Sequence, residues 1–488
     1  MRRGLQGAAT DACHKNSASN SGPVHATEAA ASANEPQVTK PTDVGHICVI
    51  AWAYPPSSAT GSLRAIALSR WLLDRGHTVT VLMANPIAYE AFFQTDPSLQ
   101  AHVPAAVQVV QADFTPESLN PILSMWPERR IRNNRRWGQK WADKEKEAFP
   151  ESLYPAWIPN ATAALFDIHA GNPIELVIAT AAPYTSYAVA ANFAETTRVP
   201  VILDDRDSFL HDVFTGEPLE DYPARHRLFE DYLDWVAGYW CVNDEITEAM
   251  RSETATNKDK IITVPNGWDD YALPTPTAKP ALATEAALTT KTDATAPRFA
   301  DRQGPVFLFV GTVTPNFPAT EIAAAWSGFR DSIPNARLLI AGGIGYRRAK
   351  RTPASIALEG TAGIELLGRV PRAELSAAYA AADGLLFAKE GGPMVTSSKI
   401  YEYIATGLPI AALGAPDMGA RTVVGDYPRV YWGDLADPVS GARAFMAATT
   451  DAASQPPLSN HAESVQHFNR AVTFEREAGH VIDSVVIR

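Results

Sequence analysis

The sequence predicts an α/β protein with two parallel sheets in separate domains. Three observations carry that expectation. Short apolar runs bounded by turn residues recur along the chain, as interior parallel strands do. Amphipathic segments of helical period lie between them, which makes the repeating unit strand–helix–strand and its crossovers right-handed. A stretch rich in Pro, Ala, Thr and Lys without strand pattern, residues 271–303, divides the runs into two series.

Residues 1–43 are rich in Ala, Ser, Asn and Thr without period and read as a disordered tail. The first domain is expected over 44–270. It opens with the continuous apolar strand HICVIAWAY, the turn-rich loop YPPSSATGS, an amphipathic helix from Leu63 to Arg75, a stop at Gly76, and the strand HTVTVLMA. Ligands of open sheets sit beyond the carboxyl ends of the strands, so Gly61, Ser62 and Arg64 are expected to face a cleft. Gly61 permits close backbone approach and Arg64 could reach a phosphate, although a plain strand–helix turn explains the loop equally well. Further strands are expected at ELVIAT (175–180), VPVILDDRD (199–207), GYWCV and KIITVPNG. The small-residue loop after ELVIAT brings Tyr184, Thr185 and Ser186 toward the same edge. Asp204, Asp205, Arg206 and Asp207 cluster at a strand end, where such charge density needs water, partners or a ligand. One Arg–Asp pair among them would satisfy most of that demand structurally.

Residues 126–146 carry eight basic side chains against three acidic ones, with Trp126, Trp137 and Trp141 interleaved. Such a stretch either lies on an anionic membrane surface or forms a solvated helix whose tryptophans pack on the domain.

The second domain is expected over 304–457, with strands VFLFVGT, ARLLIAGG, GIELLGRV, GLLFA and PIAAL. A terminal helix, VQHFNRAVTFEREAGHVIDSVV, lies within 458–488. Its informative stretch is SSKIYEYIATGLPIAAL, residues 397–413. Ser397 or Ser398 can cap a helix start, Gly407 supplies the stop, and Pro409 cannot continue a helix. Lys399 lies in the first turn, where the helix dipole disfavours a cation unless an anion is bound there. Glu402, three residues on, shares its face. It either pairs with Lys399 on a solvated helix or offers hydrogen-bond acceptors to a ribose diol beside the anion.

The chain has 488 residues, 46% apolar, with a formal net charge of −12. That charge argues against a general nucleic-acid binder. No run approaches the roughly 20 apolar residues of a membrane span, and no apolar stretch follows Arg2 and Arg3 as in a secretory signal. Cys13, Cys48 and Cys241 are scattered. The last two sit in strand-like runs as inert core thiols. The set offers no metal-ligand spacing and is consistent with a reducing cytoplasm.

The stretch 397–413 resembles the signature of family-four glycosyltransferases of the GT-B fold, and most closely those that build bacterial surface polysaccharides. Four other blocks resemble the same family in the same order: residues 51–86, LDDRD (203–207), VPNGWDD (264–270) and LLGRVPRAELSAAYAAADGLLF (366–387). The resemblance implies two Rossmann-like domains facing a central cleft, with the terminal helix crossing back to the first. It implies retaining transfer of a sugar from a nucleotide-diphosphate donor to a hydroxyl acceptor, with no cofactor and no metal. Lys399, Glu402 and Asp207 become candidate catalytic residues. The donor side would be Gly311, Thr312, Arg369, Val370, Glu390, Gly391, Gly392, Ser397 and Ser398, with Lys399 and Glu402. The acceptor side would be Gly61, Ser62, Arg64, Tyr184, Arg206 and Asp207. The partners implied are a nucleotide sugar and a glycan or lipid-linked acceptor, reached from the cytoplasmic face of a membrane through residues 126–146. Two departures stand out. The loop TVTPNFPATE lacks the basic pair that the family often binds to the diphosphate, leaving Lys399, or Arg347 and Arg348, to serve. Glu390 and Glu402 are twelve residues apart where many members have two glutamates seven apart. Transfer to a small soluble acceptor, or binding of a nucleotide sugar without turnover, are the alternative readings.

Overall fold

The computed structural model describes residues 45–486 apart from 88, 90–94, 121, 152, 271–303, 315–316, 345–351, 371, 389–391, 393, 416–417 and 426. The expected tail, the expected linker and Cys13 therefore lie outside the described residues.

Seven strands form the first sheet: β1 (His46–Ala51), β2 (Thr78–Ala84), β3 (Gln108–Ala112), β4 (Leu176–Thr180), β5 (Val201–Asp205), β6 (Gly238–Cys241) and β7 (Ile261–Thr263). Their order is β3-β2-β1-β4-β5-β6-β7. Six form the second: β8 (Val306–Val310), β9 (Arg337–Ala341), β10 (Ile364–Gly368), β11 (Gly384–Ala388), β12 (Ile410–Gly414) and β13 (Val430–Asp434), in the order β10-β9-β8-β11-β12-β13. Every pairing is parallel. The strand order reverses between β1 and β4 and between β8 and β11, and such switch points are where open sheets bind ligands.

The helices that bear on the site are α1 (Thr60–Asp74), α2 (Glu128–Arg132), α3 (Asn134–Ala148), α4 (Ile158–Gly171), α5 (Thr185–Thr197), α6 (Asp244–Ser252), α7 (Ser398–Ala405) and α8 (Arg470–Val486). Burial on both faces explains the unbroken apolar strands. Along β8, Val306, Leu308 and Val310 enter one core and Phe307 and Phe309 the other, the period of two that a pleated strand imposes. Cys48 and Cys241 are buried, and desolvation pushes the Cys48 thiol up to about 12 and the Cys241 thiol also upward.

Two edge strands depart from the expectation. β3 and β13 carry half-buried and polar residues, so neither reads as an interior apolar run. The terminal helix also begins later than expected. Trp268 takes a parallel bridge to Asn469, its amide donating to Phe468 O and its carbonyl accepting Arg470 N, which breaks the helix at that point. Asn469 Oδ1 then accepts Ala471 N at 3.0 Å and starts α8. α8 packs on the first domain: Phe474, Ala478 and Ile482 join its core, and Trp71 Nε1 donates to Glu475 at 2.9 Å.

Candidate active site

α7 is built as its residues dictate. Ser397 Oγ accepts Lys399 N at 3.4 Å, capping the start. Gly407 ends the turn at φ +66°, where a Cβ would run into Leu458 O. One face of the helix locks to the sheet, because Val310 N donates to Tyr403 Oη at 2.8 Å at the end of β8. That bond holds the amino end of α7 beside the carboxyl ends of β8 and β11.

A cleft of about 660 Å³ opens there. Its second-domain wall includes Gly311 and Thr312 after β8, Phe387 and Ala388 at the end of β11, and Thr396, Ser397, Ser398 and Lys399. Its first-domain wall includes Thr60 and Leu63 at the start of α1, Arg206 and Asp207 after β5, Phe214 and Asn266. A smaller chamber of about 110 Å³ is bounded by Ser58, Asp269, Ser398, Lys399, Glu402 and Arg470. Lys399 Nζ lies 3.3 Å from Glu402 Oε2, and Tyr379 Oη donates to the other carboxylate oxygen at 3.1 Å. The pair expected of a plain helix is therefore present. Glu402 is nonetheless only 9% exposed and lines the chamber, so this is not a solvated helix face.

The LDDRD segment distributes its charges among four tasks. Asp204 is buried against Arg64, whose Nε and Nη2 donate at 2.9 and 2.6 Å. Asp205 turns the loop by accepting Phe209 N at 2.8 Å and Tyr239 Oη at 2.7 Å, and burial holds its carboxyl at about 6. Arg206 donates to the carbonyls of Ala181 and Ala182 and lies on Gly61, where a Cβ would come within 2.7 Å of the guanidinium. Asp207 is exposed to the cleft.

Several expected site residues are placed elsewhere. Arg64 points away from a phosphate site. Its remaining donors reach Val264 O and Pro265 O, because a buried Asp204 outcompetes a solvated position for the guanidinium. Ser62 is fully buried. Tyr184 packs in the core against Phe209 at 5.0 Å with its hydroxyl toward Asp205, and Thr185 and Ser186 are buried beside it. Arg369 is exposed beside Gly343, and Val370 packs against the second-domain core; neither is among the described residues that line the cleft. Gly392 is buried where the domains meet, and a Cβ there would sit 2.9 Å from Val213 O. Glu390, Gly391, Arg347 and Arg348 lie outside the described residues. The tryptophans of 126–146 are packed rather than splayed: Trp137 and Trp141 stack at 5.2 Å, and Arg130 lies 3.8 Å over Trp126.

No protein-family profile matches the sequence, and no curated protein matches it by sequence. Solved structures do match the fold. Sucrose-phosphate synthase from Thermosynechococcus elongatus superposes with a TM-score of 0.56 at 15% identity over 88% of this chain and 98% of that one. Anabaena HepE, solved with UDP and glucose, gives 0.55 at 14% over 90% and 100%. A glycosyltransferase from Rickettsia africae gives 0.56 at 12% over 91% and 99%. The fold is GT-B.

Within this GT-B fold, four cleft or hinge residues carry no sequence signal of their own. Arg470, at the start of α8, pairs with Asp269 at 3.1 Å and lines both cavities. Asn266 lies at the end of KIITVPNG, which reads only as a strand and its end, and lines the cleft. Phe214 comes from the loop after β5. Asn243 caps α6 through Ile246 N at 2.8 Å, while its amide donates across the domain boundary to Met394 O at 2.9 Å and Thr396 Oγ1 at 2.8 Å. Among the described residues no helix is long and apolar enough to cross a membrane.

Proposed function

We propose that this protein transfers a hexosyl group from a nucleoside-diphosphate donor to a hydroxyl acceptor, with retention at the anomeric carbon, in the assembly of a cell-surface polysaccharide or glycolipid. The observation that carries this reading is the amino end of α7, which opens with Ser397, Ser398 and Lys399 into a cleft shared by both sheets. Helix amides and a lysine suit a diphosphate, whose negative charge grows as the anomeric C–O bond breaks. Glu402 in the adjoining chamber suits the ribose diol. The domain that usually supplies a basic pair has none in the described part of the loop after β8, and Arg206 reaches the same cleft from the opposite wall. That arrangement would bring its charge to the phosphates or to an anionic acceptor.

Asp207 would accept a hydrogen bond from the attacking hydroxyl. The new bond joins the acceptor oxygen to the anomeric carbon as the phosphate leaves, and the acceptor proton passes to the departing phosphate. The Asn243 latch holds the domains together, which excludes water and favours transfer over hydrolysis. The enzyme would work on the cytoplasmic face of a membrane.

A panel of nucleotide sugars assayed by thermal shift tests the reading. One donor is expected to stabilise the chain by mass action and to be turned over when acceptor lipids or oligosaccharides are added, with retained configuration by NMR. A chain that no member of the panel stabilises is not this enzyme.

A further inference from the structure

The chain between β3 and α4 makes an excursion that the transfer reaction does not use. It leaves at Ala112 and returns at Trp157, and its base is closed by Trp157 Nε1 donating to Ala112 O at 3.3 Å and Asn160 Nδ2 to Asp113 O at 2.9 Å. At its return, Glu151 accepts Thr185 N at 3.1 Å just beyond β4. The excursion thus lies along the carboxyl ends of the first sheet, the side that carries the cleft.

Two features coincide there. The first is apolar: Leu119, Ile122, Leu123, Met125 and Ile131 are exposed by 38, 51, 67, 62 and 63%. Large apolar side chains that exposed, five within thirteen residues, mark a contact surface. The other large apolar residues exposed in the described surface are scattered along the chain. The second is basic: Arg129, Arg135, Arg136, Lys140 and Lys144 are exposed on α2 and α3, and α3 buries no residue. Residues 126–146 sum to +5 in a chain of net −12.

Arg130 joins the two. It is 3% exposed, donates to Glu117 O at 2.5 Å and Ser118 O at 2.8 Å, and lies over both Trp126 and Trp137. Trp126 Nε1 donates in turn to Asn120 O at 2.7 Å. The tryptophans therefore serve as internal fasteners, and the apolar turns are held beside the cations.

We infer that this excursion is a docking surface for an anionic lipid bilayer, with Leu119, Ile122, Leu123, Met125 and Ile131 inserted among the acyl chains and the α2–α3 cations on the headgroups. Charge complementarity selects this occupant, because a patch of this sign is opposed to the rest of the chain and matched to anionic lipid. Docking here would present the cleft edge of the first domain to an acceptor in the membrane. The inference reaches beyond the transfer reaction, and vesicle binding is read without donor or turnover, so either can fail alone.

The test is co-sedimentation of the full chain with phosphatidylcholine vesicles, with and without phosphatidylglycerol. Binding to the anionic vesicles alone is expected. Leu123→Asp/Met125→Asp should weaken it on the order of a hundredfold. Arg135→Ala/Arg136→Ala should weaken it roughly thirtyfold, less at high salt. All four positions are exposed, so circular dichroism and melting should not change. No binding of the wild type to anionic vesicles overturns the inference, as does unchanged binding of Leu123→Asp/Met125→Asp. A wild-type dimer that this variant converts to a monomer overturns it too, since the patch would then belong to a second copy of the chain.

Discussion

The pair Lys399–Glu402 can be made to report which of two roles it has. If Lys399 only neutralises Glu402, its removal matters little to ligands. If it binds phosphate, replacing it removes an attraction and leaves Glu402 as a repelling charge. A unit pair near 4 Å at an effective dielectric of about 20 is worth about 4 kcal/mol. The lysine side chain is 30% exposed and already shares its charge at 3.3 Å, so about 2 kcal/mol is the realistic cost, roughly thirtyfold in Kd. Glu402→Gln should act with opposite signs on two ligands. Pyrophosphate should bind about fivefold tighter, because a repulsion of about 1 kcal/mol is gone. The nucleoside diphosphate should bind about tenfold weaker, because the diol loses a charged acceptor of about 1.5 kcal/mol.

Calorimetry of wild type, Lys399→Ala, Glu402→Gln and the double variant with both ligands resolves the cycle. The phosphate role predicts that Lys399→Ala weakens both ligands even when Glu402 is already Gln. If in that background Lys399→Ala changes neither affinity by more than about twofold, Lys399 is a partner of Glu402 and nothing more, and the proposed donor site is wrong.

Other outcomes follow from the same contacts. Asn243→Asp keeps the α6 cap but loses the donors to Met394 O and Thr396 Oγ1, so melting should change little while small-angle scattering shows more open domains and donor affinity falls; an unchanged scattering profile would mean the latch is idle. Arg64→Met strands a buried carboxylate on Asp204 and should cost about 3–5 kcal/mol in denaturant unfolding, with Arg64→Met/Asp204→Leu regaining most of it. Gly407→Ala should cost about 2–4 kcal/mol, from the positive φ and the clash with Leu458. Burial holds the Glu151 carboxyl up at about 7, above its unfolded value of 4.5. The folded state therefore binds the proton more tightly, and stability falls as pH rises from about 4.5 to about 7. Glu151→Gln should flatten that slope, worth on the order of 3 kcal/mol, in unfolding titrations across the range.

Local features of the site were legible and distant ones were not. The Ser397 cap, the Gly407 stop and the Lys399–Glu402 spacing lie within eleven residues, so the helical period alone brings them together. Arg64 follows the cleft-lining Leu63 in sequence, yet its long side chain folds back to a carboxylate 140 residues away. Nothing near Arg470 in the sequence announces that it meets Asp269, some 200 positions earlier. Tyr184 looked available because its loop is small and polar, but the start of α5 packs against Phe209. The exposed apolar turns at 119–125 are illegible in sequence for a related reason: exposure is a property of what fails to cover a residue, which composition does not encode.

The described charges around the cleft and its chamber balance: Arg206, Lys399 and Arg470 against Asp207, Asp269 and Glu402. A free phosphate that draws Lys399 away leaves Glu402 without its cation in a site that is mostly buried, a cost it cannot offset. A nucleoside diphosphate can offset it, because the ribose diol donates to the carboxylate that the phosphates have just released. Recognition of the two halves of the donor would thus be coupled through one ion pair, and the cleft should prefer nucleoside diphosphate to pyrophosphate by more than the contacts of the base account for. Glu402→Gln uncouples them, so the preference should collapse in that variant, and a preference that survives intact would place the ribose somewhere other than the Glu402 chamber.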